Sequence, residues 1–367
     1  MTMLSAPVPT VYILHENAEW LPPLLTALDA EGVPHVEWML SDGSIDLNQA
    51  PPQGVFWSRL SASSHTRGHP FAKEYARAVL RWLEAHGRRV INGSRVAELE
   101  VSKVAQFLEL TLAGFEVPAT VAVFGRDDLS TRARELEPPF ITKHNQGGKG
   151  LGVRLFDSHD QFDEYVTGDE FELPADGITL LQDYVVAAQP FITRAEFVGG
   201  RFLYAVRVDT SAGSFELCPA DACVVPVTVP GLAPAVCVVP DGSATTDGAA
   251  AAESAEGLGS VVLTAPAPLF SLRTDVTAQH PLIVRLEAFL AAHQIEVAGV
   301  EFIETASGRL VTYDVNTNTN YNPDVEAGLD SAGGARSVAR FLATELAGTV
   351  AVAPPVTSPE TVAVGPR

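Results

Sequence analysis

The sequence predicts an α/β protein: its first hundred residues read as a parallel sheet covered by helices, and the remainder as α+β built on antiparallel hairpins. Three observations carry this. Short apolar runs alternate with helical periodicity up to about residue 100, a glycine-rich loop near residue 150 leads into a second strand, and two later pairs of apolar runs flank Gly199-Gly200 and Ser307-Gly308. Strand–helix alternation gives a sheet buried on both faces. Tight turns between apolar runs give antiparallel pairs.

In order, residues 11–14 are a short apolar strand, and Trp20, Leu21, Leu24, Leu25 and Leu28 share one helical face. Residues 35–39 alternate as a strand should, and residues 54–57 form another. Phe71, Tyr75, Val79, Trp82 and Leu83 mark an amphipathic helix before a strand at Val90-Ile91. A helix over residues 102–113 stops at Gly114, with Pro118 beyond it. Residues 180–186 are a strand, residues 194–198 pair with 202–206, and residues 299–303 pair with 310–315. Residues 225–265, rich in Ala, Pro, Gly, Ser and Val, carry no periodicity and are expected to form a mobile insertion. Residues 350–367 are expected to be a loose tail, and no internal repeat is present.

The chain has 367 residues and a net charge of −21, from 24 Lys+Arg against 45 Asp+Glu. That balance argues against nucleic acid or an anionic membrane as the main partner, so an anionic ligand must be drawn by clustered cations. No apolar run reaches the ~20 residues of a membrane span, and the N-terminus lacks signal-peptide character. A cytoplasmic protein is expected. Cys218, Cys223 and Cys237 neither form a disulfide framework nor supply the ligand count of structural zinc.

The most informative stretch is residues 140–153. Lys143 closes an apolar run, and a loop with Gln146, Gly147, Gly148, Lys149, Gly150 and Gly152 leads into a second apolar run over residues 153–156. Glycine lets backbone approach a ligand closely, and consecutive peptide N–H groups make a concave anion site. A Walker loop needs Gly-Lys-Ser/Thr opening a helix, and a dinucleotide fingerprint also runs into a helix. Here Lys149 is followed by Gly150 and a strand, which excludes both. What remains is a glycine hairpin suited to nucleotide phosphates, with a plain solvent-exposed hairpin as the alternative.

Other features follow in order. Gln182, Asp183, Tyr184 and Val185 end a strand and suit a hinge that holds an adenine edge through backbone groups. Arg194 and Arg207 are isolated cations in apolar strands, suited to phosphate or carboxylate, or else to snorkelling at a surface. Asp314 and Asn316 are two apart and share one side of a strand. With Glu301 on a paired strand they make an oxygen-donor set for magnesium, which prefers carboxylates plus nucleotide phosphates. Asn316, Asn318, Asn320 and Asn322 alternate, either as one polar face of a solvated strand or, since Asn is depleted in strands, as a binding feature. Arg59 and Arg67 bracket a polar loop after a parallel strand, where α/β folds place ligands, and are candidates for a substrate carboxylate together with Asn318. His65 and His69 read as loop residues, and Lys103 on its own reads as an exposed helix lysine.

With these residues the chain resembles the ATP-grasp superfamily, and within it the RimK-like carboxylate–amine ligases, over most of residues 50–330. Trp57, Ser58, Arg59, Asn92 and the Ser102-Lys103 helix entry match the order of elements before that family's nucleotide domain. The resemblance implies an N-terminal α/β domain over 1–100, a central and lid domain over 101–185, and a C-terminal metal and substrate domain over 186–349. It implies that Lys103 and Lys143 hold ATP phosphates, that residues 146–152 form a phosphate lid, and that residues 182–185 form the adenine hinge. Arg194 and Arg207 match the strand arginines beyond the hinge and are implied to be catalytic, Arg207 offsetting the negative charge of ATP and of the attacking carboxylate. Glu301, Asp314 and Asn316 match the metal set for Mg2+, with Mn2+ as the other ion to consider. The sequence departs from the family in its carboxylates, with Glu301 for the usual aspartate and Asp314 for the usual glutamate. Residues 317–322 also replace the usual small, glycine-ending loop. The implied activity is ATP-dependent conversion of a carboxylate to an acyl phosphate and its joining to an amine of amino-acid or peptide type. A small-molecule kinase and a non-catalytic nucleotide-binding module are the alternatives, and a homo-oligomer is left open.

Overall fold

The structure, a computed structural model, describes residues 8–148, 150, 152–211, 268–329 and 331–352. Lys149, the three cysteines, the 225–265 segment and the tail beyond 352 lie outside the described residues.

Strand β1 (Thr10–His15), helix α1 (Pro22–Ala30), strands β2 (His35–Met39) and β3 (Gly54–Arg59), helix α2 (Ala72–Ala85) and strand β4 (Arg89–Ile91) build the first layer. Its four strands are all parallel, in the order β2-β1-β3-β4. Every residue of β3 is buried, as a strand covered on both faces requires. The first helix is interrupted relative to the sequence pattern. A 3-10 turn at Ala18–Trp20 precedes α1, which starts at Pro22 because proline suits the first helical turn, where its missing N–H costs nothing.

Helices α3 (Ser94–Glu100) and α4 (Lys103–Leu112) follow, and Ser102 caps α4 by accepting the Ala105 N–H. Strand β5 (Thr120–Phe124), helix α5 (Leu129–Ala133), strands β6 (Phe140–His144) and β7 (Arg154–Phe156), helix α6 (His159–Thr167) and strand β8 (Ile178–Asp183) form the second layer. Its antiparallel sheet has the order β5-β8-β6-β7, with the glycine loop joining β6 to β7. Strands β9 (Phe191–Val198), β10 (Arg201–Asp209) and β11 (Phe270–Leu272), helix α7 (Pro281–His293), and strands β12 (Val297–Glu304) and β13 (Leu310–Asn316) form the third. Here the order is β11-β10-β9-β12-β13, antiparallel throughout. The β9–β10 turn has φ of 62° at Gly199 and 69° at Gly200, the pair of positive values that a two-residue hairpin turn demands.

One face of β9 carries Ala195 and Phe197 into the core shared with α7, through Leu286, Phe289 and Leu290. The alternating residues Ile192, Arg194 and Glu196 therefore face the other way. Helix α8 (Pro323–Glu326) follows β13, and α9 (Gly334–Val352) closes the described chain. Sequence periodicity did not single out α9, yet it packs back on the first layer, where Val338, Ala339, Leu342 and Leu346 share a core with Val11, Ile13, Leu24, Leu28 and Trp57. The C-terminal helix therefore covers one face of the N-terminal sheet. Leu342→Ala, at a fully buried position, should cost about 2–5 kcal/mol in urea unfolding. A loss below about 1 kcal/mol would contradict this packing.

Candidate functional site

A cleft of about 330 Å³ is lined by residues of β6, β7 and β8 on one side and of β9, β12 and β13 on the other, with Trp20, Ser61 and Ser63 reaching it from the first layer. Of the residues expected from sequence, Lys103, Lys143, Gly147, Gly148, Gly150, Gln182, Asp183, Tyr184, Val185, Arg194, Glu301, Asp314, Asn316 and Asn318 all line it.

Lys103 is the first residue of α4 and is only 5% exposed, so the reading of it as a surface lysine is corrected. Its ammonium forms an ion pair with Asp314 and donates to Gln106 Oε1 at 3.3 Å. Burial alone would lower its pKa, but Asp314 and Glu100 hold it above the ordinary lysine value. Burial likewise pushes Asp314 up, and the neighbouring lysines override it to hold the carboxyl below the usual range. Asn145, just past β6, joins the two lysine-bearing elements. Its backbone oxygen accepts the Lys103 N–H at 3.1 Å and its Oδ1 accepts the Val104 N–H at 2.8 Å. The ammonium of Lys143, on β6, makes no hydrogen bond or ion pair among the described residues and lies near the Phe107 and Tyr313 rings, at 5.9 and 5.6 Å. Burial pushes its ammonium down to about 8, partly offset by Asp314.

The glycine loop is a hairpin between β6 and β7. Gly150 and Gly152 have φ of 75° and 71°, and a Cβ on Gly152 would sit 2.1 Å from the His144 ring, so the loop needs glycine there. Gln146 is buried beside the cleft, where its Oε1 accepts from Lys73 Nζ of α2. At the hinge, Gln182 donates to Thr120 Oγ1 at 2.9 Å and the Asp183 N–H reaches Ala119 O at 2.9 Å.

Across β12 and β13, Glu301 stands opposite Asp314 and Gly299 opposite Asn316, which brings the expected oxygen donors to one wall. Two carboxylates and one amide oxygen fit magnesium, which takes one or two protein carboxylates and completes its shell with phosphate and water. Among the described residues no group of three or more Asp, Glu, His or Cys is arranged to hold a metal. Each carboxylate is held by a cation, Asp314 by Lys103 and Glu301 by Arg194 Nη1 at 2.8 Å. Arg194 also bonds Glu196 at 2.6 Å and Thr319 Oγ1 at 2.7 Å. Although burial lowers its pKa, Glu196 and Glu301 hold it well above the ordinary arginine value.

Arg207 is not brought to the cleft, which corrects its expected place beside Arg194. Arg194 pairs with Val206 across β9 and β10, so Arg207, one residue on, projects from the opposite face. There its guanidinium lies 4.5 Å from the Phe191 ring centroid and 3.3 Å from Asp209. Arg67 lies behind the cleft wall, paired with Glu16 and stacked 4.5 Å from the Trp20 ring centroid, while its Nη1 donates to Ser63 at 3.0 Å. Arg59 is buried and holds the asparagine segment, donating to Asn318 Oδ1 at 3.0 Å, Asn320 Oδ1 at 2.7 Å and Thr319 O at 3.1 Å. That segment is a loop, not a solvated strand. β13 ends at Asn316, and Asn322 caps α8 by accepting the Asp324 and Val325 N–H groups.

Sequence reasoning missed Glu100, Asn145 and Glu196, and gave Asn92 no contact. Glu100 accepts from the Thr317 N–H and hydroxyl, both at 2.8 Å, and Asn92 donates to Val297 O at 2.7 Å and Thr317 O at 3.1 Å. The available signal was weak, since none of them belongs to a motif or spacing that marks it out from its neighbours.

No protein-family model and no curated protein matches the sequence. Solved structures do match. A RimK-domain ATP-grasp protein from Sphaerobacter thermophilus aligns with a TM-score of 0.59 at 16% identity, covering 90% of this chain and 98% of that one. D-cycloserine synthetase DcsG aligns with a TM-score of 0.57 at 15% identity, covering 92% and 99%. The ATP-grasp ligase PsnB, solved with a variant of its minimal precursor, Mg and ADP, aligns with a TM-score of 0.56 at 12% identity, covering 93% and 99%. The chain has the ATP-grasp fold.

Proposed function

We propose that this ATP-grasp chain is an ATP-dependent carboxylate–amine ligase. The observation that carries the reading is the pairing, in one cleft, of a half-buried cation without an ion-pair partner among the described residues, Lys143, with a wall of oxygen donors from Glu301, Asp314 and Asn316 beneath a glycine hairpin. A triphosphate supplies the missing anion at Lys143 and joins Asp314 at Lys103, and the hairpin supplies N–H groups. The hinge residues 182–185 take the base. The solved relatives add support: PsnB was crystallised with Mg and ADP, and the named relatives include a ligase and a synthetase.

A carboxylate resists amine attack because oxide is a poor leaving group. Attack of a carboxylate oxygen on the γ-phosphorus of ATP, with loss of ADP, gives an acyl phosphate. The amine then adds to its carbonyl carbon and phosphate departs. Lys143 and Lys103 offset charge on the transferring group, and closing the hairpin keeps water from the acyl phosphate. Glu301, Asp314 and Asn316 would hold magnesium, which would supply charge neutralisation during the transfer. Arg194 acts through Glu301, fixing that carboxylate rather than touching substrate. Small-molecule or peptide carboxylates and amines are the expected substrates. The net charge of −21 disfavours nucleic acid, and among the described residues no helix is long and apolar enough to cross a membrane.

Mass-spectrometric screening of amino acids and short peptides with Mg-ATP should yield an amide product, and hydroxylamine in place of the amine should trap the acyl phosphate as a hydroxamate with release of phosphate. Asp314→Asn should lower both by more than about tenfold, because a neutral amide replaces a carboxylate of the donor wall, and should lower the melting temperature as well, because Lys103 loses its ion-pair partner. ADP formation with a stable phosphorylated product and no hydroxamate would instead indicate a kinase.

A second test uses Lys143. Phosphate favours its charged form, so affinity is full below about pH 8 and falls as pH rises past it. In metal-free buffer ADP affinity should drop about tenfold between about pH 7 and about pH 9. Lys143→Arg should flatten that limb, since arginine stays protonated. A flat wild-type profile would separate Lys143 from the phosphates.

A further inference from the structure

Arg59 is a buried guanidinium with no carboxylate within ion-pair distance among the described residues. Its partners are Asn318 Oδ1, Asn320 Oδ1, Thr319 O and, at 3.4 Å, Trp20 O. Burying an uncompensated charge is costly, and desolvation pushes this guanidinium down to about 10. Arg67, the neighbouring cation, is already neutralised by Glu16. The electrostatic deficit thus lies on Arg59 and on the amides it polarises.

Those amides face the cleft. Asn318 and Asn320 both line it, and Arg59 takes the carbonyl oxygen of each. Neither amide nitrogen has a hydrogen-bond partner among the described residues, and neither is sealed from solvent. Asn316 Oδ1 accepts the Asn318 N–H at 2.9 Å, which ties this loop to the oxygen-donor wall one step away.

We propose that Asn318 and Asn320, oriented by Arg59, form the subsite that receives the substrate carboxylate, with their amide N–H groups as donors and Arg59 as a positioning residue. The proposal rests on the reading of the cleft as a carboxylate-activating site. Its chemistry suits a carboxylate that must remain a nucleophile. Two neutral donors hold the anion in place, while the full positive charge sits one bond layer back and does not form a direct bidentate pair that would quench the attacking oxygen. A guanidinium holds two carbonyl oxygens at once, which an ammonium cannot reproduce with the same geometry.

The test uses the full-length chain with side-chain 15N-labelled asparagine, titrated at constant ionic strength with acetate, acetamide and inorganic phosphate. The Asn318 and Asn320 amide signals, assigned by their absence in Asn318→Ala and Asn320→Leu, should shift saturably with acetate and not with acetamide. Asn320→Leu, at a half-buried position, should weaken acetate binding at least about tenfold, and Arg59→Lys should not preserve it. Unmoved signals in acetate, or equal shifts with acetamide, would overturn the subsite. Tighter binding of phosphate than of acetate would also overturn it and assign these amides to the nucleotide. ADP titrated into the same sample reports the nucleotide reading separately, so failure of one is distinguishable from failure of the other.

Discussion

The arrangement depends on how residues 317–320 are held. Glu100 takes the N–H and hydroxyl of Thr317, and Asn92 donates to its carbonyl oxygen. Arg59 grips Asn318, Thr319 and Asn320, while Arg194 donates to the Thr319 hydroxyl, which in turn donates to Glu196 at 2.7 Å. These partners come from the parallel layer and the helix after it on one side, and from β9 on the other. A loop buried between layers must pair its backbone groups, and here charged side chains do the pairing. Buried polar networks of this kind are stable only when complete. The network therefore fixes the end of β13, and with it Asp314 and Asn316, relative to the N-terminal layer.

The same logic governs the wall of the cleft. Glu301, buried, and Asp314, half-buried, stand across a strand pair from one another, where two uncompensated carboxylates would repel. Arg194 and Lys103 separate that repulsion into two ion pairs. Lys143 is left as the cation with no anion of its own, and Arg59 as another whose partners are neutral. On the proposed reading, an acidic protein that accepts anionic ligands resolves the conflict locally, by placing cations where a ligand can reach their field.

Much of this was legible in the sequence. Alternation of apolar runs and helical faces gave the parallel layer, and the glycine turns gave the hairpins. Lys143, the glycine loop, the 182–185 hinge and the Glu301, Asp314, Asn316 set all meet in one cleft. The failures have physical causes. Arg207 and Arg194 look alike as lone cations in apolar strands, and only the β9–β10 register shows that they point to opposite faces. Lys103 looked exposed because helix position says nothing about which layer covers it. The asparagines alternate like a strand, but Arg59 and Asn322 use them as loop and cap. Helix α9 is specified by packing against a sheet more than 270 residues earlier, from β3 at 54–59 to α9 at 334–352, a relation that local periodicity cannot carry.

In the proposed reaction a carboxylate oxygen attacks the terminal phosphorus of ATP in this cleft. Tracing oxygen tests it most directly. With a substrate carboxylate labelled in both oxygens with 18O, the account predicts that amide formation transfers one label into inorganic phosphate, visible as an isotope shift in the 31P spectrum. Unlabelled phosphate accompanying amide product would contradict an acyl phosphate and with it the proposed chemistry.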